Sequence, residues 1–232
     1  MATIKRSIIG KFSGSAGDLV FVLRNGKRHF RSKPRPRDPN KPKSQKTKDN
    51  EAGFAYTSSF VKEISKSDLL KLIWENSDVF GENYYGRIFS ANRKIAQPSG
   101  LTLHNKITPD SIFMKTNSLV WDDNFFSLVY EIESASENSL LPPFYAVLVL
   151  YLCDPHNSKK YPAFTFLSFE ELVSEQFTDK PNIITFKFKD SDKETISEFK
   201  KGIIYLTFIS NDLSPKSVEW TTTDAVEVNI SL

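Results

Sequence analysis

Phe144-Tyr145-Ala146-Val147-Leu148-Val149-Leu150-Tyr151-Leu152-Cys153 is a run of ten residues without a charge. It does not alternate apolar with polar, so it reads as a strand in the middle of a sheet, covered on both faces. A helix crossing a bilayer needs roughly 20 apolar residues; this run is too short and belongs to a core. Around it lie further β-rich segments at 111–115, 119–121, 125–131, 163–167, 182–189, 203–210 and 225–230. Thr185-Phe186-Lys187-Phe188-Lys189 alternates apolar and polar, the mark of a half-buried strand. Seven or eight short strands without an intervening β/α rhythm predict a mainly β domain over 101–232. The expected form is an antiparallel sandwich of immunoglobulin or fibronectin type.

Upstream, the pattern changes twice. Residues 44–100 read as a small helical segment. Ser44 or Thr47 caps a helix carrying Phe54, Phe60, Val61 and Ile64, which Gly53 weakens in the middle. Ser67 caps a second, whose Leu69, Leu70, Leu72, Ile73 and Trp74 form a broad apolar stripe. A third is expected over 82–96, ending before Pro98, and the three are expected to pack as a satellite unit. Residues 1–43 form a hairpin and an arm. Asp18-Leu19-Val20-Phe21-Val22-Leu23-Arg24 and Lys27-Arg28-His29-Phe30-Arg31 flank Asn25-Gly26, the dipeptide that type I′ hairpin turns prefer. Gly10, Gly14, Gly17 and Gly26 are assigned to backbone geometry, the first three as sites of close approach or bulges rather than a plain strand. Pro34, Pro36, Pro39 and Pro42, spaced by basic residues, predict an extended, polyproline-like arm.

Charge divides along the same line. The chain of 232 residues carries 31 Lys+Arg and 28 Asp+Glu, a net charge of +3. Residues 1–50 hold 14 of the bases and 3 of the acids, a net +11, which leaves −8 on the remainder. Such an asymmetry points to a charged partner. Arg24, Lys27, Arg28, Arg31, Lys33, Arg35, Arg37, Lys41 and Lys43 are the candidate contact residues, for assembly or for phosphate.

Signatures of catalysis are thin. One cysteine, Cys153, cannot form an internal disulfide or a cysteine-based zinc site. His29, His104 and His156 are far apart and fit no metal-ligand spacing. Cys153-Asp154-Pro155-His156 offers a thiol beside an imidazole, yet Asp154-Pro155 reads as a turn after a buried strand and Cys153 as a small core residue. Asp122-Asp123 reads as a turn between strands rather than a cation site. The glycines at 10, 14 and 17 do not end in Gly-Lys-Ser/Thr, so they are not a phosphate loop. No enzyme, cofactor, metal or small-molecule substrate is therefore expected. Met-Ala-Thr-Ile-Lys-Arg-Ser-Ile-Ile-Gly contains no apolar core of secretory length, which predicts a cytoplasmic protein or an assembled particle without signal peptide or transmembrane segment.

Gly10-Lys11-Phe12-Ser13-Gly14-Ser15-Ala16-Gly17-Asp18-Leu19-Val20, followed by Gly26-Lys27 and Arg31-Ser32-Lys33-Pro34, resembles the opening of an uncharacterised family of Bacteroidota proteins. That family shows G-x-F-S-G-x-x-G-x-x-V, a short hairpin, R-x-x-P, a basic proline arm with Gln, then helices and a β-rich remainder. Pro42 and Gln45 match its Pro and Gln; Phe21 and Val22 stand where it has a glycine and an aromatic. The resemblance covers about residues 8–65 and implies an architecture without catalytic residues.

Together these readings predict a structural protein that assembles with other copies of itself into an oligomer, filament or virion-type particle. Its basic arm would dock on the acidic β domain of a neighbour, charge complementarity setting register and encounter. The alternative is a nucleic-acid-binding protein whose arm contacts phosphates.

Overall fold

The computed structural model describes residues 2–4, 14–24, 27–33, 42–110, 112–114, 116–121, 127–132, 143–174, 182–210 and 218–230. The chain divides into two compact units, Met1–Ser44 and Gln45–Leu232. The proline arm at 34–41 and the Asp122-Asp123 pair lie outside the described residues, as do Gly10, Asn25 and Gly26.

The first unit is a four-stranded antiparallel sheet of β1 (Ala2–Ile4), β2 (Gly14–Ala16), β3 (Leu19–Arg24) and β4 (Lys27–Ser32), in the order β1-β4-β3-β2. Arg24 pairs with Lys27, leaving two residues for the connection, as the Asn-Gly dipeptide predicts. Upstream the expectation of a bulge is corrected. Gly14 is an ordinary ladder residue of β2, opposite Phe21, and β2 joins β3 through a second two-residue turn. Gly17 opens that turn with φ of 57°, the positive value that primed hairpin turns need at their first central residue.

The second unit begins with three helices, α1 (Gln45–Ile64), α2 (Asp68–Glu75) and α3 (Tyr84–Arg93). The start signal of α2 acts as read: Ser67 Oγ accepts a hydrogen bond from the Leu70 N–H (3.2 Å). Asn83, not singled out in the sequence, caps α3 by accepting from the Gly86 N–H (2.8 Å), and Thr47 lies inside α1 rather than at its start. The strands that follow are β5 (Ile112–Met114), β6 (Thr116–Trp121), β7 (Ser127–Ile132), β8 (Phe144–Pro155), β9 (Phe164–Val173) and β10 (Asn182–Lys187). Then come α4 (Asp190–Ser197), β11 (Phe199–Ser210), β12 (Trp220–Thr223) and β13 (Val226–Asn229). A six-stranded sheet runs β5-β12-β11-β8-β9, with β13 also paired to β11; a second runs β10-β7-β6. All of these pairings are antiparallel except β5 with β12.

The opening run is β8, and its lack of alternation has a plain cause. Successive side chains of a strand point to opposite faces, and here both faces meet a core. Phe144, Ala146, Leu148, Leu150 and Leu152 pack with Ile184 and Phe186 of β10, with Ile196 of α4, and with Ile204, Leu206 and Phe208 of β11. Val147, Val149 and Tyr151 face the opposite way, into a cluster with Phe60, Ile64, Ile73, Trp74 and Ile88 of the helices. The helices are therefore a layer on the large sheet and share its core. This replaces the expected satellite unit: stripes as broad as those of α1 and α2 bury more area on a flat sheet than on one another. Phe60 lies 5.7 Å (ring centroids) from Phe166 and 5.3 Å from Tyr205. Glu63, almost fully buried, ties α1 to β9 by accepting from Ser168 Oγ (2.8 Å), and its other oxygen pairs with Lys66 (2.6 Å).

Two buried hydroxyls on the helix-facing side set a pH limit. Burial pushes Tyr205 and Tyr151 well above the ordinary tyrosine value, and Tyr205 also donates to the Thr102 carbonyl (2.8 Å). Raised folded values mean the stability is complete below the unfolded tyrosine pKa and is lost as pH rises above it, near 10. Urea stability is thus expected to fall steeply above about pH 10. In ultraviolet titration, two of the eight tyrosines should ionise only on unfolding. Full ionisation of all eight in the folded protein would refute the assignment.

Candidate functional site

Of the nine basic contact residues, four fall on the hairpin. Arg24 ends β3, and Lys27, Arg28 and Arg31 belong to β4. Lys33 follows directly, its N–H donating to the Asp18 carbonyl (2.5 Å), which closes the β2–β3 turn against the end of β4. Lys43 lies just before α1 and is exposed. Arg35, Arg37 and Lys41 lie outside the described residues.

The pairing register sorts this sheet into two unlike faces. Leu19 pairs with Ser32 and Phe21 with Phe30; between them Val20 pairs with Arg31 and Val22 with His29. Paired residues share a face and neighbours alternate. Leu19, Phe21 and Phe30 therefore share one side, on which Ser32 and Arg28 also fall by register, while Lys27, His29 and Arg31 lie on the other with Val20 and Val22. Leu19 remains 40 % exposed and the two phenylalanines are half-buried. Lys27, Arg31 and Lys33 are exposed to solvent. The result is a small sheet with its phenylalanines on one side and Lys27, His29 and Arg31 on the other.

The thiol–imidazole pair does not assemble. β8 continues through Pro155 rather than turning after Cys153, and Asp154 takes a positive φ of 59° within it. Cys153 faces the helix-side core while His156 is exposed, its N–H donating to the Glu198 carbonyl (2.9 Å). Burial, helped by Asp154, pushes the Cys153 thiol above its usual range, although Lys201 opposes the shift. A raised thiol is the reverse of an activated nucleophile. Among the described residues no group of three His, Cys, Asp or Glu side chains is placed to hold a metal ion.

Sequence reasoning missed a cleft in the second unit. Its volume is about 320 Å³, and its walls include Leu103, His104, Lys106, Tyr205, Thr222 and Asp224. A neighbouring hollow of about 390 Å³ adds Thr102, Ile203 and Glu227. Thr222, in the unforeseen β12, shares a hydrogen bond with Thr108 (2.5 Å), and Lys106 pairs with Asp110 (2.5 Å). The polar groups here already hold the 101–110 loop to the sheet. The run Trp220-Thr221-Thr222-Thr223, β-branched but only four residues long, was the available signal.

No helix among the described residues is long and apolar enough to cross a membrane. No family model matches the chain, and neither does any curated protein.

Proposed function

We propose that the protein is a non-enzymatic self-assembly protein, in which the basic N-terminal sheet and arm of one copy dock on the acidic body of another. The observation that carries this reading is the N-terminal unit itself. It is compact and separate, it takes most of the charge division of +11 against −8, and it carries Leu19, Phe21 and Phe30 on one side. A sheet face of that kind is stable when another layer covers it. The body has two cores of its own, so removing residues 1–44 is expected to leave a folded monomer. Sedimentation of the truncated and full-length proteins tests this; equal assembly by both defeats the reading. The likeness to the Bacteroidota family, carried by Gly10 to Val20, belongs to the same proposal.

The β portion is, in this reading, a sandwich of the immunoglobulin and fibronectin kind. The strand order supports it. β6-β7-β10 corresponds to A-B-E and β9-β8-β11-β13 to C′-C-F-G, with α4 at the E–F corner. The helical layer then covers the outer face of the C′-C-F-G sheet.

A second reading, phosphate binding, is favoured by one observation: Lys27, His29 and Arg31 alternate onto a single face of β4. It predicts nucleic-acid affinity whose logarithm falls linearly with the logarithm of salt. A mobility shift without binding at low salt removes it.

A further inference from the structure

β9 borders the six-stranded sheet, and among the described residues no strand pairs its outer edge. Its inner edge is fully used: all ten residues pair with β8 in one unbroken register, from Phe164 with Cys153 to Val173 with Phe144. Natural sheets blunt such an edge with brevity, a bulge, a proline or charge. β9 is long, regular and free of proline, and its charge is confined to Glu170 and Glu171; Phe164-Thr165-Phe166-Leu167-Ser168-Phe169 has none. Both carboxylates are exposed, and neither has an ion-pair partner among the described residues. The helical layer does not close this border. Phe60 of α1 lies against Phe166 of β9 and Tyr205 of β11, the strands on either side of β8, so α1 is centred on β8. A row of backbone donors and acceptors of this length is a template for an added strand, which binds through main-chain hydrogen bonds while flanking side chains select it.

The sequence of the arm matches that edge. In an extended strand the backbone groups of successive residues point to opposite sides. Lys33, Arg35 and Arg37 would turn theirs one way and positions 34 and 36 the other. Both of those positions are proline, which has no N–H. A sheet accepts proline where the missing N–H would face solvent, on an edge strand. The spacing thus keeps pairing groups on one side and blanks the other, so that growth stops at the added strand. Pro39 falls on the pairing side and ends the segment. The Lys33 N–H is already given to the Asp18 carbonyl of its own sheet, which leaves Arg35 and Arg37 for a neighbour. Their side chains share one face, with Asp38 on the other, whereas Glu170 and Glu171 lie on opposite faces of β9. Whichever face the two arginines take, one carboxylate stands on it as a cross-strand partner. We propose that the outer edge of β9 accepts residues 34–37 of a second copy as an added, terminal strand. This rests on the self-assembly reading and names its acceptor. Donor and acceptor are different surfaces, so the contact is heterologous and builds rings or filaments.

The test is sedimentation velocity on full-length proteins, each with its thermal midpoint. The combined Glu170→Lys, Glu171→Lys variant is expected to keep the wild-type midpoint, because both side chains are already in water, and to lose assembly. Arg37→Pro is compared with Arg37→Ala. Both remove the same charge, and only the proline removes an N–H from the pairing side. Strand addition predicts that Arg37→Pro weakens self-association roughly tenfold further than Arg37→Ala does. Equal weakening by the two would mean contact by charge alone and would overturn the added strand. If the Glu170, Glu171 variant assembles as the wild type does, β9 is not the acceptor, and this assignment falls while the self-assembly reading stands. If the wild type stays monomeric at its highest soluble concentration, both fall together.

Discussion

Trp74→Ala is expected to destabilise the second unit by about 3–5 kcal/mol, the range for deleting a buried aromatic from a core. Trp74 is completely buried at the contact between α2 and the large sheet. Its Nε1–H donates to the Ile107 carbonyl (2.7 Å), so truncation opens a cavity and also leaves that carbonyl without its donor. Against a typical total of about 5–15 kcal/mol, such a loss shifts a urea midpoint far enough to measure without ambiguity. Trp74→Phe, which refills most of the space, should recover more than half of it. A midpoint unchanged in Trp74→Ala would mean that the helical layer contributes nothing to the cooperative unit.

Asn92→Ala is expected to cost about 3 kcal/mol, although it removes only a few atoms. Asn92 is fully buried on α3 with its amide saturated. Nδ2 donates to the carbonyls of Ile88 (3.0 Å) and Lys106 (2.9 Å); Oδ1 accepts from the Lys106 N–H (2.7 Å) and from Asn105 Nδ2 (3.1 Å). One side chain thus does for the 101–110 loop what a strand ladder does elsewhere. Its removal orphans several polar groups at once, and a network of that kind weakens by more than any single bond. Amide hydrogen exchange gives the sharper readout: protection at Lys106 should collapse, while β8 and β11 lose protection only through the drop in global stability. Unchanged exchange at Lys106 would remove the anchoring role.

How far these features were legible depends on the range of the interaction that creates them. The cap of α2, the two-residue β3–β4 connection and the central position of β8 are local signals, visible in a few consecutive residues. The helical layer was visible only in halves. The stripe of Leu69, Leu70, Ile73 and Trp74 announces burial, and so does the unbroken run in β8, but neither states that one is buried by the other. Asn92 gave no sign at all, since an asparagine in a helix is ordinary until its partners, 13 and 14 residues ahead, come into place. α4 left a faint mark in Asp190 and Asp192, acids of its first turn; Asp192 accepts from the Lys189 N–H (3.1 Å). Of the candidate contact residues, the hairpin bases were placed by the Asn-Gly signal, and the side of their sheet that carries the phenylalanines emerged from register rather than composition.

The helical layer also imposes an order in time. Phe60 finds Tyr205 about 145 residues further along the chain. At about 5–20 residues per second, a ribosome takes roughly 7–30 s to cover that distance. For most of that interval the apolar stripes of α1 and α2 lack the sheet they rest on, since β8 is made only about two-thirds of the way through it and β11 at its end. Contacts so distant in sequence slow folding after release as well. The nascent protein therefore passes through a long adhesive phase, and its yield in a cell should respond to chaperone supply more strongly than the stability of its finished core would suggest.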